Sequence, residues 1–267
     1  MGSLVPASIS RSGPVPRPRK NPEEAQAGGH DNGRMKDPTK SLDWSAVHAA
    51  LDRDGCALLP GLLDAAGCEA LRACYPDGAR FRSRVIMQRH GFGRGEYQYF
   101  AEPLPDPVRC LREALYPRLA PLANAWAQRL GETGRYPDTL DEFRAQCHAA
   151  GQTRPTPLLL RYGAGDYNCL HQDLYGSLYF PLQVIVLLSE PGEDFDGGEL
   201  VLVEQRPRMQ SRPQVLSLRR GDAAVIATDH RPAQGARGWY RLKLRHGVSR
   251  IERGERYTLG IIFHDAA

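Results

Sequence analysis

His171-Gln172-Asp173, followed downstream by His246 and then Arg256, is the stretch on which the reading of this chain turns. Two histidines and one carboxylate can occupy one face of an octahedral Fe(II), leaving three positions open for a co-substrate and dioxygen. His-x-Asp places both side chains on one side of an extended segment, because alternate residues of a strand share a face. Arg256 lies 256 − 246 = 10 residues past the last candidate ligand, where a cation can hold the far end of a dicarboxylate. The pair alone more often marks a surface turn. Its weight comes from order: a strand, His-x-Asp, several strands, a distal His, then a basic residue on the last strand.

The texture around this stretch is that of a β protein. From Thr156 onward, short apolar runs are broken by Gly, Pro and Asp: Leu158–Tyr162, Val184–Leu188, Leu200–Val203, Val215–Leu218, Ala223–Ala227 and Tyr257–Phe263. Strands at such spacing suggest a sandwich or barrel. A double-stranded β-helix, or jelly roll, gathers strand ends around a central cavity. It would let His171 and His246, 246 − 171 = 75 residues apart, meet.

Residues 41–155 read as mixed and mostly helical. Trp44, Val47, His48 and Leu51 have helical spacing, closed by Gly55. Cys56–Pro60 and Phe81–Met87 are strand candidates, and Ala65–Tyr75 and Pro107–Leu130 are helical. Residues 1–40, rich in Pro, Gly, Ser and charge, are expected to be a disordered tail. The expected fold is therefore α+β: a cupin-like β-helix core over 156–267 and a largely helical amino-terminal subdomain, forming one integrated domain over 41–267.

Composition excludes several classes. At 267 residues, 41% hydrophobic and 25% charged, the chain is ordinary for a globular protein. No apolar run approaches the ~20 residues of a membrane span. The six cysteines contain no Cys-x-x-Cys pair and read as reduced thiols of a cytoplasmic protein. Of the net charge of +4, residues 1–40 carry seven basic and four acidic groups, or +3, which leaves +1 for the rest. Within 206–250, however, eleven basic residues stand against Asp222 and Asp229, a local +9. This is either a solvated face or a positive rim that guides an anionic substrate. No protein partner is inferable.

Three other histidines compete for the distal position. His230 precedes Arg231-Pro232 in an expected loop, His264 is nearly terminal, and His148 sits in a helical stretch. Gly91-x-Gly93-x-Gly95 reads as a tight turn or lid, not a phosphate loop. Trp239 and Tyr240 read as packing, and Tyr97, Tyr99 and Phe100 as pocket mouth or strand interior.

The segment His246-Gly247-Val248 through Arg256-Tyr257-Thr258-Leu259 resembles the Fe(II)- and 2-oxoglutarate-dependent dioxygenases. Arg161-Tyr162-Gly163-Ala164-Gly165, Gly197-Gly198-Glu199-Leu200 and Gly221-Asp222-Ala223 resemble their prolyl-hydroxylase-like branch. More narrowly, three segments are similar to a mainly bacterial oxygenase family labelled as acting on alkylated, damaged DNA: Phe92–Tyr97, Gly165–Gly176 and Gly260–Ala266. The resemblance implies that His171, Asp173 and His246 bind Fe(II), with 2-oxoglutarate and dioxygen as co-substrates. It implies that Arg256 pairs with the distal carboxylate of 2-oxoglutarate, helped by Thr258 and by Tyr162 on the neighbouring strand. Tyr167 and Asn168 are further candidates for that contact, and no catalytic group is expected beyond the metal centre.

The implied activity is hydroxylation of a C–H bond, including oxidative demethylation of alkylated nucleobases. The rivals are hydroxylation of a peptide or amino acid, a cupin-like metal enzyme without 2-oxoglutarate, and a non-catalytic jelly-roll module that binds an anion.

Overall fold

A computed structural model describes residues 37–174 and 176–267, so the expected tail lies, up to residue 36, outside the described residues. The helices begin where the sequence offers caps. In α1 (Trp44–Asp54), Asp43 accepts a hydrogen bond from the Ala46 N–H at 3.0 Å, and left-handed Gly55 (φ 72°) stops the helix. After β1 (Cys56–Leu59), Asp64 caps α2 (Ala65–Cys74). Then follow β2 (Phe81–Ile86), β3 (Gly93–Arg94), β4 (Glu96–Phe100), α3 (Asp106–Arg129) and α4 (Leu140–Ala149).

α3 is one continuous helix despite Pro117 and Pro121. Both prolines are solvent-exposed, whereas Leu115, Tyr116, Leu119, Ala120, Leu122 and Ala123 are buried. The carbonyls freed by the prolines therefore face water, and the packed side holds the helix together.

The carboxyl-terminal half supplies β5 (Leu158–Gly163), β6 (Tyr167–His171), β7 (Leu182–Leu187), β8 (Phe195–Gly197) and β9 (Leu200–Gln205). It continues with β10 (Arg212–Leu216), β11 (Ala223–Ala227), β12 (His230–Gly235), β13 (Gly238–Val248) and β14 (Ile251–Ile261). All pair antiparallel in two sheets. One has the order β1-β11-β7-β14-β5-β4-β2 with β8 beside β14; the other runs β10-β9-β13-β6-β3 with β12 beside β13. The architecture is mixed α/β and dominated by antiparallel sheet.

Three expected boundaries are corrected. His230 lies in a strand, not a loop, because β12 pairs only with β13 and Pro232 costs an edge strand no ladder bond. β10 starts at Arg212, earlier than the apolar run Val215–Leu218, with Pro213 tolerated on the same edge-strand grounds. β14 starts at Ile251, six residues before Tyr257, because its charged first part pairs with β8 (Ile251↔Gly197, Gly254↔Phe195).

The core is continuous from helices to sheet. Phe180 packs on Tyr116 (5.0 Å between ring centroids) and Phe263 (5.1 Å). Beneath this aromatic cluster, fully buried Arg112 reaches the chain end. Its Nη2 donates to Asp265 Oδ1 (2.7 Å) and the Phe263 carbonyl (2.8 Å), and its Nε to the Ile262 carbonyl (2.9 Å). Arg144 and His148 converge on the other Asp265 oxygen. Burial alone would raise the Asp265 pKa, but Arg112 beside it brings it below the usual carboxylate range.

Removing one partner of such a pair leaves a bare buried charge. Asp265→Asn is expected to lower the unfolding free energy at pH 7 by about 3–5 kcal/mol. Because the folded-state pKa is depressed, this contribution is present above the ordinary carboxylate pKa and is lost as pH falls through the folded value. Urea titrations of both proteins at pH 7 and at pH 3 check this: the gap should narrow at the lower pH.

Candidate metal centre

β6 and β13 run antiparallel with His171 directly opposite His246, their ring centroids 4.2 Å apart. Beyond β6 the chain is clipped by Gln172, whose Nε2 donates to the carbonyls of Asp229 (2.8 Å) and Leu244 (2.9 Å). With Gln172 anchored, Asp173 turns back onto both imidazoles. Its Oδ1 lies 3.4 Å from His171 Nε2 and its Oδ2 lies 3.2 Å from His246 Nε2. One donor atom from each residue falls within 4.8 Å of the others, and among the described residues no other His/Cys/Asp/Glu group of three is so arranged.

The protonation states suit a cation. Burial opposes the Asp173 charge, yet hydrogen bonds from His171 and His246 hold its pKa well below the carboxylate range. Burial, aided by the charge of His171, lowers the His246 pKa and favours its neutral, ligating form. His171 faces the Cys169 carbonyl through Nδ1 at 2.8 Å; burial opposes its charge, but the hydrogen bond to Asp173 raises its pKa, and loss of that proton is what frees Nε2 as a ligand. Two nitrogens from facing strands and an ionised oxygen from just beyond β6 fit a divalent metal of the Fe(II) type.

The second cluster is built by β14 and β5, where Arg256 pairs in register with Tyr162 and Thr258 with Leu160. Arg256 is 2% exposed, and among the described residues neither its Nε nor its Nη1 has a hydrogen-bond acceptor. Burial pushes its pKa down to about 10, so it stays charged at neutral pH. Its guanidinium lies 5.7 Å from the ring centre of Tyr162 and 5.9 Å from that of Phe195. Tyr162 is fully buried, and burial pushes its pKa up to about 12. Its hydroxyl accepts from Asn168 Nδ2 at 3.4 Å. Gly198 (φ 66°) makes the space: a Cβ there would overlap Ile251 and sit 3.0 Å from Arg256 Cδ.

One cavity of about 230 Å³ is lined by His171, Asp173, His246, Arg256, Tyr162 and Thr258 together. Asn168 also lines it, whereas Tyr167 is an exposed residue outside the lining. Apolar walls come from Leu158, Leu160, Ile185 and Ile262, with Tyr97. These walls follow from strand alternation. Gln183 on β7 and Gln172 carry no motif and were not marked in the sequence.

The rival histidines are engaged elsewhere. His230 contacts Asp229 (2.7 Å), His148 contacts Asp265 (2.8 Å), and His264 Nδ1 accepts from the Phe180 N–H (3.1 Å). Part of the basic stretch is consumed internally. Arg206, Arg212 and Arg231 surround buried Glu204, and Arg241 pairs with Glu132. Trp239, read as packing, is half exposed beneath the Arg129 guanidinium. Among the described residues no helix is long and apolar enough to cross a membrane.

The chain is similar to known proteins along most of its length. Residues 95–266 match a family described as an oxygenase catalysing oxidative methylation of damaged DNA. An uncharacterized protein of Mycobacterium tuberculosis (strain H37Rv) is 53% identical over 168 residues, covering 63% of this chain and 72% of that protein. In fold, a Pseudomonas putida prolyl-4-hydroxylase is similar with a TM-score of 0.50 and 16% identity, over 84% of this chain and 99% of the other. The α-ketoglutarate-dependent epimerase SnoN of nogalamycin biosynthesis has a TM-score of 0.50 and 18% identity, over 82% and 81%. The resemblance read from the motifs agrees with these matches, and the chain belongs to the oxygenase family described as catalysing oxidative methylation of damaged DNA, an oxidoreductase.

Proposed function

We propose that this oxygenase is an Fe(II)- and 2-oxoglutarate-dependent hydroxylase of a C–H bond on an alkylated nucleobase, built on a double-stranded β-helix core. The strands β1, β2 and β4 share a sheet with β5, β7, β11 and β14, which supports one integrated domain from residue 41 onward. The observation that carries the activity is Arg256, a buried cation without an acceptor in the same cavity as His171, Asp173 and His246. A buried charge is retained at a cost unless a ligand completes it, and a planar guanidinium suits a carboxylate.

His171, Asp173 and His246 would hold the metal. Bound there with 2-oxoglutarate and dioxygen, it supplies oxidation of a substrate C–H bond coupled to decarboxylation of 2-oxoglutarate to succinate. The chain's own part is placement. Arg256 takes the distal carboxylate, with the hydroxyls of Tyr162 and Thr258 beside it in the lining. Leu158, Leu160, Ile185 and Ile262 exclude water from the reacting carbon. Hydroxylation of an N-methyl group gives a product that loses formaldehyde, hence net demethylation.

The cavity mouth favours a base over a peptide. Phe92 and Leu174 line it while about half exposed, at 48% and 50%. His90 stacks on Phe92 with ring centroids 5.3 Å apart and planes at 21°. Arg89 on the same turn and Arg94 in β3 are exposed. A stacking face among cations suits single-stranded or flipped-out nucleic acid.

The test is binding and turnover of an N-methylated single-stranded oligonucleotide between 50 and 300 mM salt. Affinity is expected to fall steeply, with log K against log salt sloping by about −0.7 per phosphate contacted, together with formaldehyde release. Flat or absent binding would refute the nucleic-acid substrate and leave hydroxylation of a peptide or amino acid.

A further inference from the structure

The basic stretch over 206–250 has no part in the chemistry proposed above. Arg206, Arg212 and Arg231 neutralise buried Glu204, and Arg220 lies 3.9 Å from Glu190. Lys243 and Arg245 differ: both are exposed, and neither forms an ion pair with a described residue. β13 alternates buried Leu242 and Leu244 with exposed Arg241, Lys243 and Arg245, so three cations stand on one face of one strand. His246 takes the opposite face and lines the cavity. Successive cations in such a row are about 6.8 Å apart, close to the spacing of phosphates along an extended single strand of nucleic acid.

The register of the smaller sheet widens this face. Arg245 is opposite Val203 and Lys243 opposite Gln205 on β9, while Pro213 and Val215 on β10 lie opposite Val203 and Val201. Asn168 and Val248 are paired and both line the cavity, so Tyr167, the neighbour of Asn168 on β6, turns outward. Tyr167 is paired in turn with exposed Arg94 on β3. Val215 is 56% and Tyr167 39% exposed. None of these positions holds an Asp or Glu; Arg241 pairs with Glu132 from beyond α3, and Arg94 lies 3.8 Å from Asp166.

We infer that this outward sheet face holds the single-stranded flank of the substrate, with Lys243 and Arg245 on its phosphates. The inference rests on the nucleic-acid reading of the cavity. Its path follows the sheet order β13-β6-β3. β3 is the edge strand, two strand spacings or about 10 Å from β13, and Phe92 immediately before it lines the cavity mouth. A strand whose target base enters beside Phe92 crosses the edge at Arg94, passes Tyr167 and meets Arg245, Lys243 and Arg241 in turn. Tyr167 offers a ring to an unstacked base, and the valines of β9 and β10 border the row with apolar surface. Phosphate contacts set register and affinity and carry no sequence information, so this face holds the chain while the cavity chooses the base. Evenly spaced cations without interleaved acids suit a polymer charged at every repeat better than a peptide.

The probes are fluorescent single-stranded oligonucleotides of four and twelve nucleotides, each with one internal N-methylated base, bound without iron and followed by anisotropy between 50 and 300 mM salt. The natural chain should bind the longer one more tightly. With Lys243→Gln and Arg245→Gln combined, that length advantage should shrink. The slope of log K against log salt for the longer probe should become shallower by about 1.4, two contacts at about 0.7 each. The shorter probe, which cannot cover both the mouth and β13, should bind as it does to the natural chain, and the melting temperature should not move. Arg118→Gln with Arg219→Gln removes equal charge from exposed positions outside this face and should keep the natural slope. A natural slope and length advantage in the Lys243 and Arg245 variant, or an equal loss in the Arg118 and Arg219 variant, would overturn the role of this face while leaving the substrate reading standing. Failure of the natural chain to bind either probe would instead overturn the nucleic-acid reading beneath it.

Discussion

Asp173→Ala is expected to remove Fe(II) binding and, with it, all measurable decarboxylation of 2-oxoglutarate. Asp173 is the only anionic member of the donor set, and its carboxylate is kept ionised against burial by hydrogen bonds from two histidines. Without it, the imidazoles of His171 and His246 must attract a dication unaided. The loss should therefore exceed the roughly 10–100-fold typical of outer partners. Metal content after dialysis and succinate formation measure the two halves of this result, and full turnover in the variant would contradict it. The variant should remain folded, because Asp173 lies at the cavity and the aromatic cluster around Phe180 is untouched.

Arg256→Met is expected to separate function from stability in the opposite sense. Arg256 is buried with Nε and Nη1 lacking acceptors, so the metal- and ligand-free fold carries the cost of a desolvated charge. An apolar side chain of similar length relieves that cost, and the unfolding free energy should rise by about 1–3 kcal/mol. On the proposed role of Arg256, the same change removes the charge-assisted hydrogen bonds it would give the distal carboxylate of 2-oxoglutarate. At about 1.5–3 kcal/mol each, the Michaelis constant for 2-oxoglutarate should rise at least about a hundredfold. A protein both more stable and unable to use 2-oxoglutarate is the signature of a residue kept for a ligand. A destabilised variant with unchanged use of 2-oxoglutarate would show instead that Arg256 serves packing.

The site was legible in the sequence to the extent that its residues sit at fixed offsets along strands. Arg256 and Thr258 share a face of β14, as their spacing indicates, whereas β6 ends at His171, so Asp173 reaches the cavity not by a shared strand face but because the chain turns back after anchored Gln172. The pairing of His171 with His246 across β6 and β13 was foreseeable only through the strand-rich texture between them. The contacts of Gln183 with Asp173 and of Gln172 with the Asp229 carbonyl had no counterpart in the sequence, because nothing in a single chain announces what a glutamine will touch.

The edge strands were read wrongly for a related reason. Pro213 and Pro232 argue against a central strand, and β10 and β12 prove to be edges, where a missing N–H costs nothing. The reach of the larger sheet into β1, β2 and β4 was equally hidden, since pairings such as Cys56↔Ile226 join residues far apart in the chain.

The most direct test of the central claim is an anaerobic titration of the Fe(II)-loaded natural chain with 2-oxoglutarate, followed by visible absorption. The expected result is a weak metal-to-ligand charge-transfer band that saturates at one equivalent, is absent in Asp173→Ala and demands far more 2-oxoglutarate in Arg256→Met. Iron demonstrably bound with no such band at saturating 2-oxoglutarate would contradict the assignment and point to a cupin-like metal enzyme that uses another co-substrate.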